Sequence, residues 1–469
     1  MKKRSTAPDG LREFGLLDKV AYAAGDFGCN MSFALAGTFF TLFYTQYMGI
    51  DSITFAGLLV LLKVIDAISD LIVGGFIDNT TRTYKQSKFK SFITAGSIGL
   101  LVAGGLCFLP FPQAPYIVKI LLCLFGYIVW STCYTVVNVP YGAMISVISA
   151  DAGDRAQLSS WRALGAMVAG LGISVVLPIL LYDENNELLG GRLLGIALLL
   201  GVVGLFAFRF MTKNTIERVK VDKPAGEKPR FNYLRALKNF FSNRAAVAGI
   251  LSTMALYLGT YGCSVAITVM FQSYFKNASL SGLVSMLSMI PMLVFMPFIR
   301  KIVTKWGKKE ASQTGLLISV ISTLAMLVVP MTPDMGGLGM FFLLALSNGL
   351  GMGIFSCVGN AINADVIDYN EWKTGAREEG TIYALSSFFR KFSQGIGPSL
   401  CLVLMVALDY DEALGAAQPA DVALRIRYLV AGLYFFSSLF MWICMRFIYN
   451  LDKRTVEQMQ IALGRQGSS

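Results

Sequence analysis

The chain has 469 residues, 55% of them apolar and only 15% charged, where ordinary soluble domains carry roughly a quarter charged residues. That balance, with a mean hydropathy of +0.60, excludes a string of soluble domains. The net charge of +11 lies in short segments between apolar runs, which fits membrane-flanking loops and not a nucleic-acid surface.

The N-terminus, MKKRSTAPDGLREFGLLDK, is polar for longer than a signal peptide allows, so the first span is expected to stay in the mature protein. Twelve apolar spans follow, each long enough for a bilayer. They fall at 20–47, 53–78, 91–111, 116–146, 158–182 and 191–211, then at 246–274, 280–303, 313–331, 337–363, 381–408 and 424–449. One alternate set of loops is basic: the N-terminus, the loop with Arg82, Lys85, Lys88 and Lys90, the segment 212–244, the loop with Arg300, Lys301, Lys305, Lys308 and Lys309, and the C-terminal tail. The other set (PFPQAP, YDENNELLGGR, MTPDMGG and LDYDEALGAAQPAD) is neutral or acidic. The basic set is therefore expected in the cytoplasm with both termini, in a plasma membrane of the bacterial inner-membrane kind.

Between Lys213 and Arg244 the chain carries nine Lys/Arg against three Asp/Glu, with Pro224 and Pro229. It reads as a cytoplasmic linker able to touch anionic lipid. The organisation is an N-terminal six-helix half (1–211), a basic linker (212–245), a C-terminal six-helix half (246–450) and a cytoplasmic tail (451–469). An all-α membrane protein of twelve transmembrane helices in two six-helix halves has the layout of the major facilitator fold. In that fold the substrate site lies near the midplane and alternating access is a rocking of one half against the other.

Charges inside spans are costly and mark function by default. In span two, Lys63, Asp66 and Asp70 are spaced to share one helical face. The two carboxylates can supply oxygens to a small cation or hold a proton, and Lys63 can offset their charge; a structural ion-pair network is the other reading. In span four, Asn138 stands two residues before Pro140, which frees a backbone carbonyl, and Tyr134 one turn earlier is a candidate sugar-stacking ring. In span five, Arg162 either snorkels to the interface or turns inward to bind hydroxyls or a carboxylate. In span eleven, Arg390 and Lys391 point about 100° apart, so one of them faces a cavity; Ser387 and Gln394 share the face of Lys391. The eight scattered cysteines form no CxxC, there is no histidine, and no Walker A sequence occurs. No catalytic triad, metal, cofactor or nucleotide drive is therefore expected, and the chain is not read as an enzyme.

These residues resemble the glycoside–pentoside–hexuronide:cation symporter family across most of the chain. GDFGCN in span one, KVIDAISD in span two, NVPYGAM in span four and ADVIDYNEWKTGAREEG from Ala364 to Gly380 each resemble a family motif. The resemblance implies that Asp66 and Asp70 are cation-site carboxylates. It also implies that Asn30, Asn138, Arg162 and Lys391 line the sugar and coupling site. Asp365, Asp368, Glu371, Arg377 and Glu379 then belong to gate and interhalf ion pairs. The chain departs from the family's melibiose carrier, which has an aspartate at each of the positions of Asn30 and Asn138. Gly142 stands where that carrier has an aromatic residue, and the loop after span two lacks the usual Trp-Gly.

The expected function is secondary active symport of a sugar or glycoside, a hexuronide or other anionic sugar included, with a monovalent cation. The missing carboxylates favour a proton over sodium. Lipid and the solute are the expected partners of a monomer, with no nucleic acid. The alternatives are transport of an amphiphile such as a lysolipid, which vertebrate relatives of this fold carry, or a non-transporting membrane sensor.

Overall fold

The computed structural model describes residues 12–79, 87–149, 151–219, 242–295, 298–374 and 379–463. Among them the regular elements are helices, apart from one isolated bridge between Tyr182 and Leu188. The first six are α1 (Leu16–Leu42, prolonged by a π turn at Phe43–Tyr47), α2 (Ser52–Asn79), α3 (Lys88–Cys107), α4 (Tyr116–Ile148), α5 (Ala152–Leu181) and α6 (Leu193–Asn214). Then come α7 (Arg244–Ser273), α8 (Ser281–Phe295), α9 (Ile299–Trp306), α10 (Lys308–Val328), α11 (Met335–Thr374), α12 (Glu379–Val406), α13 (Ala420–Ile443) and the tail helix α14 (Lys453–Ala462). Ten helical segments among the described residues are long and apolar enough to cross a membrane. α2 and α12 are 28 residues each, which at 1.5 Å per residue also exceeds a hydrocarbon core of about 30 Å.

Local chemistry sets the starts. The side chains of Ser87, Asp151, Asn243 and Asp452 accept from backbone N–H groups in the first turns of α3, α5, α7 and α14, each satisfying a donor that the helix cannot. Two boundaries differ from the sequence reading. Span eight is divided into α8 and α9. Span ten does not stop at 363: α11 runs on to Thr374, so Asp365, Asp368 and Glu371 lie on a helix and not in a loop. No glycine or proline interrupts Ala364–Thr374, so nothing ends the helix earlier.

The chain divides into two compact units, Met1–Asp183 with Leu188–Glu227, and Glu184–Glu187 with Lys228–Ser469. Their internal packing repeats. In the first, α1 packs on α5 and α6, α3 on α4 and α6, and α2 on α4. In the second, α7 packs on α12 and α13, α10 on α11 and α13, and α8 on α11. Helices in lipid gain nothing from hydrophobic exclusion between them, so small residues that let backbones meet hold such pairs together. Gly165 on α5 meets the backbone of Ala23 on α1, and Gly262 on α7 meets that of Gly397 on α12. Large apolar side chains such as Phe76, Phe206, Val328 and Phe436 are exposed on the outside, as a lipid-facing surface requires.

The first residues after α6 are part of the first unit. The backbone N–H groups of Arg218 and Val219 both donate to the carbonyl of Val147, Lys90 Nζ donates to that of Thr215, and Arg218 joins Arg12 in bridging the fully buried Asp18.

Candidate functional site

The first unit gathers its intramembrane polar residues on α1, α2, α4 and α5. On α1, Tyr22, Asp26, Asn30 and Phe33 recur at helical spacing, and each has a partner. Tyr22 stacks on Tyr141 of α4 with ring centroids 4.7 Å apart. Each of the two hydroxyls donates to the other residue's carbonyl, at 3.1 and 2.8 Å. Asp26 Oδ1 accepts from Arg162 Nε of α5 at 3.1 Å. The Arg162 guanidinium lies 4.9 Å over the Tyr141 ring. Arg162 therefore turns inward; the snorkelling reading fails because a buried carboxylate and a ring face compete for it. Gly142 borders the arginine: a Cβ there would lie 3.7 Å from Arg162 Nη1, an ordinary contact.

A second group lies on α2 and α4. Asp66 is half-buried and accepts a short hydrogen bond from the Ser131 hydroxyl. Lys63 sits one turn before it, with Nζ 5.4 Å over the ring of Tyr127. The shared face expected of Lys63 and Asp66 is thus turned towards α4. Between the two groups runs an aromatic wall. Tyr134 is flanked by Trp130 at 5.7 Å and Phe33 at 5.5 Å, and the Trp130 indole N–H donates to Ser32 Oγ at 2.6 Å. Asn138 is half-buried one turn beyond Tyr134. Asn30 Nδ2 donates to the Asp26 carbonyl on its own helix at 2.9 Å.

The second unit holds a cavity of about 540 Å³. Thr253, Tyr257 and Thr260 line it from α7, Ser356 and Asn363 from α11, and Ser386 and Arg390 from α12. Its hydroxyls and single guanidinium are groups that bind sugar hydroxyls or an acidic substituent. Of the adjacent cations in span eleven, Arg390 is the one in this wall; Lys391 is exposed and Gln394 half-buried, outside it. Asp365 Oδ1 accepts from Lys308 at 2.6 Å inside the same unit. Asp368 and Glu371 lie further along α11, half-buried. The side chains of Asp70, Ser387 and Glu379, and the whole of Arg377, lie outside the described residues.

Sequence reasoning missed Asp26. Its signal was available, since Asp26 is a carboxylate ten residues inside α1, between two glycines of GDFGCN. Arg390 was left open by its adjacency to Lys391.

Residues 21–453 match a family model described as MFS/sugar transport protein. The chain is 28% identical over 421 residues, 89% of each chain, to an uncharacterized symporter YjmB of Bacillus subtilis. It is 26% identical to a putative sulfoquinovose importer of Salmonella typhimurium, covering 94% of this chain and 91% of that one. A bacterial homolog of the human lysosomal transporter Spinster shares the fold at a TM-score of 0.62 and 12% identity, over 96% of this chain and 98% of the other. The chain belongs to the MFS/sugar transport protein family: it is a major facilitator transporter of sugar-type solutes, of the glycoside–pentoside–hexuronide:cation symporter kind.

Proposed function

We propose that the chain couples uptake of a sugar or glycoside, acidic sugars included, to a monovalent cation, with a proton favoured over sodium. The observation that carries the reading is Asp66: a carboxylate in the middle of a span, hydrogen-bonded to Ser131 and one turn from Lys63. Such a group is costly in a bilayer unless it faces a partner or a cavity. With Asp70, Lys63 and Asn138 it forms the coupling site. Asp66 and Ser131 offer few oxygens for sodium, whereas a proton needs only the carboxylate. The sugar is held by Asn30, Tyr134, Asn138 and Arg162 on the first unit. On α12 the candidates are Arg390, which lines the cavity of the second unit, and Lys391 and Gln394, which lie outside that cavity's wall; the Ser387 side chain lies outside the described residues. The basic ends, with both termini, face the cytoplasm.

The test is accumulation of labelled sugars in proteoliposomes under an imposed proton or sodium gradient. Asp66→Asn should abolish accumulation against a gradient while leaving exchange of sugar across the membrane. Unchanged gradient-driven accumulation in that variant would remove Asp66 from coupling.

A further inference from the structure

The Asp26–Arg162 pair is unequal. Arg162 stands five residues, about 7.5 Å, into the apolar part of α5 that begins at Gln157 and is a permanent cation, so it needs an anion there. Asp26 supplies it, but the arginine side chain is 35% exposed and the aspartate only 13%. Arg162 is therefore the more accessible partner of the pair. The contact is made through Nε, on one flank of the guanidinium, while Nη1 passes over the bare backbone of Gly142. The other titratable groups around the pair are Tyr22 and Cys29 on α1 and Tyr141 on α4. From α6, Gly204 and Phe208 face α1 at Gly28 and bring no charge. Among the described residues, Arg162 is the cation that acts on Asp26.

We propose that Asp26 is an internal competitor for Arg162: an anionic sugar takes the guanidinium, and Asp26 takes up one proton in exchange. No covalent bond changes. The Asp26 carboxylate gains H⁺ from water on the exposed side of Arg162, becomes a neutral carboxyl, and returns the proton when the sugar leaves and the ion pair re-forms. A buried carboxylate deprived of its cation has no other inexpensive state. This exchange is separate from the cation held on α2. It rests on the sugar-transport reading and adds that acidic sugars carry one proton more than neutral ones.

The experiment measures binding of methyl β-glucuronide and methyl β-glucoside to the purified full chain as a function of pH. If Asp26 competes, the glucuronide dissociation constant gains about one extra tenfold step per pH unit over the glucoside. Asp26→Asn removes that extra step, so the two probes respond to pH alike. Equal slopes in the wild type overturn the proposal, and so does an extra step that survives in Asp26→Asn. If Asp26→Asn does not fold, the wild-type slopes decide by themselves. Binding of the glucoside without the glucuronide overturns this proposal and leaves sugar transport standing. Proton-linked glucuronide binding without gradient-driven uptake upholds it and sinks the symport reading.

Discussion

Gly165 is the position where packing and site chemistry can be separated most cleanly. It lies on α5 three residues beyond Arg162, at the crossing with α1. A Cβ added there would stand 2.1 Å from the backbone oxygen of Ala23 and 2.9 Å from its carbonyl carbon. Non-bonded carbon–oxygen contacts in proteins close to about 3.3 Å, so alanine forces the two backbones apart by about 1.2 Å. The obstacle is helix backbone, which cannot rotate away as a side chain could. Asp26 is one turn beyond Ala23, so the same separation acts directly on the Asp26–Arg162 contact, which stands at 3.1 Å. Overpacking of this kind costs about 1–3 kcal/mol. The control is on the same helix: nothing lies within 4 Å of a Cβ at Gly170, and alanine is favoured over glycine inside a helix by about 1 kcal/mol. Thermal unfolding of the purified protein, read beside glucuronide binding, should show Gly165→Ala destabilised with weakened binding and Gly170→Ala as stable as the parent or more so. Equal unfolding temperatures for the two variants would refute the close approach of α1 and α5, and the Asp26–Arg162 geometry with it.

Three further outcomes follow from other parts of the molecule. Arg218→Ala leaves the fully buried Asp18 with Arg12 as its one remaining cation, so thermal unfolding should register a loss towards the lower end of the about 3–5 kcal/mol typical of a broken buried pair; no loss would refute the Arg218–Asp18 bridge. Beyond the membrane span of α11, burial holds the Asp365 carboxyl above its ordinary range, with Lys308 opposing. A carboxyl raised in the folded state contributes stability that is whole below its unfolded pKa and is lost as pH rises through the folded one. Lys308→Ala raises it further and should enlarge that loss, and superimposable pH profiles of unfolding temperature would contradict the bridge. In the second unit, Arg390→Gln should weaken binding of the neutral methyl β-glucoside, by about threefold to tenfold for one lost hydrogen bond, and more than Lys391→Gln does; the reverse order would move that contact to Lys391.

The spans were legible because hydropathy and charge are local properties, and so was the shared face of Lys63 and Asp66, which follows from helical spacing alone. The extent of α11 was less legible. Hydropathy falls where the helix leaves the apolar region, although nothing in Ala364–Thr374 stops the helix. The Asp26–Arg162 pair was not legible as a pair, because its members are 136 residues apart and no local pattern says which carboxylate an intramembrane arginine will meet. Arg390 and Lys391 could not be told apart by spacing; only the packing of α12 against α7 decides which of them reaches the cavity wall.

The same distinction changes the charge balance of the first unit. Read along the sequence, Asn30 and Asn138 count as two carboxylates lost relative to the family's melibiose carrier. In space, Asp26 stands one turn from Asn30 on the same helix, and Asn30 donates to its carbonyl, so a carboxylate is present and is engaged by Arg162. Lys63 stands one turn from Asp66 on α2. By formal charge, those four residues cancel. Of the ionisable residues in the middle of spans one to five, Asp70 is then the one whose charge has no formal counterpart. One such charge at membrane depth is what a single proton or a single sodium ion would neutralise. On the coupling proposed at α2, the stoichiometry expected for a neutral sugar is one cation, and the exchange proposed at Asp26 would add its proton only when the sugar itself brings a negative charge.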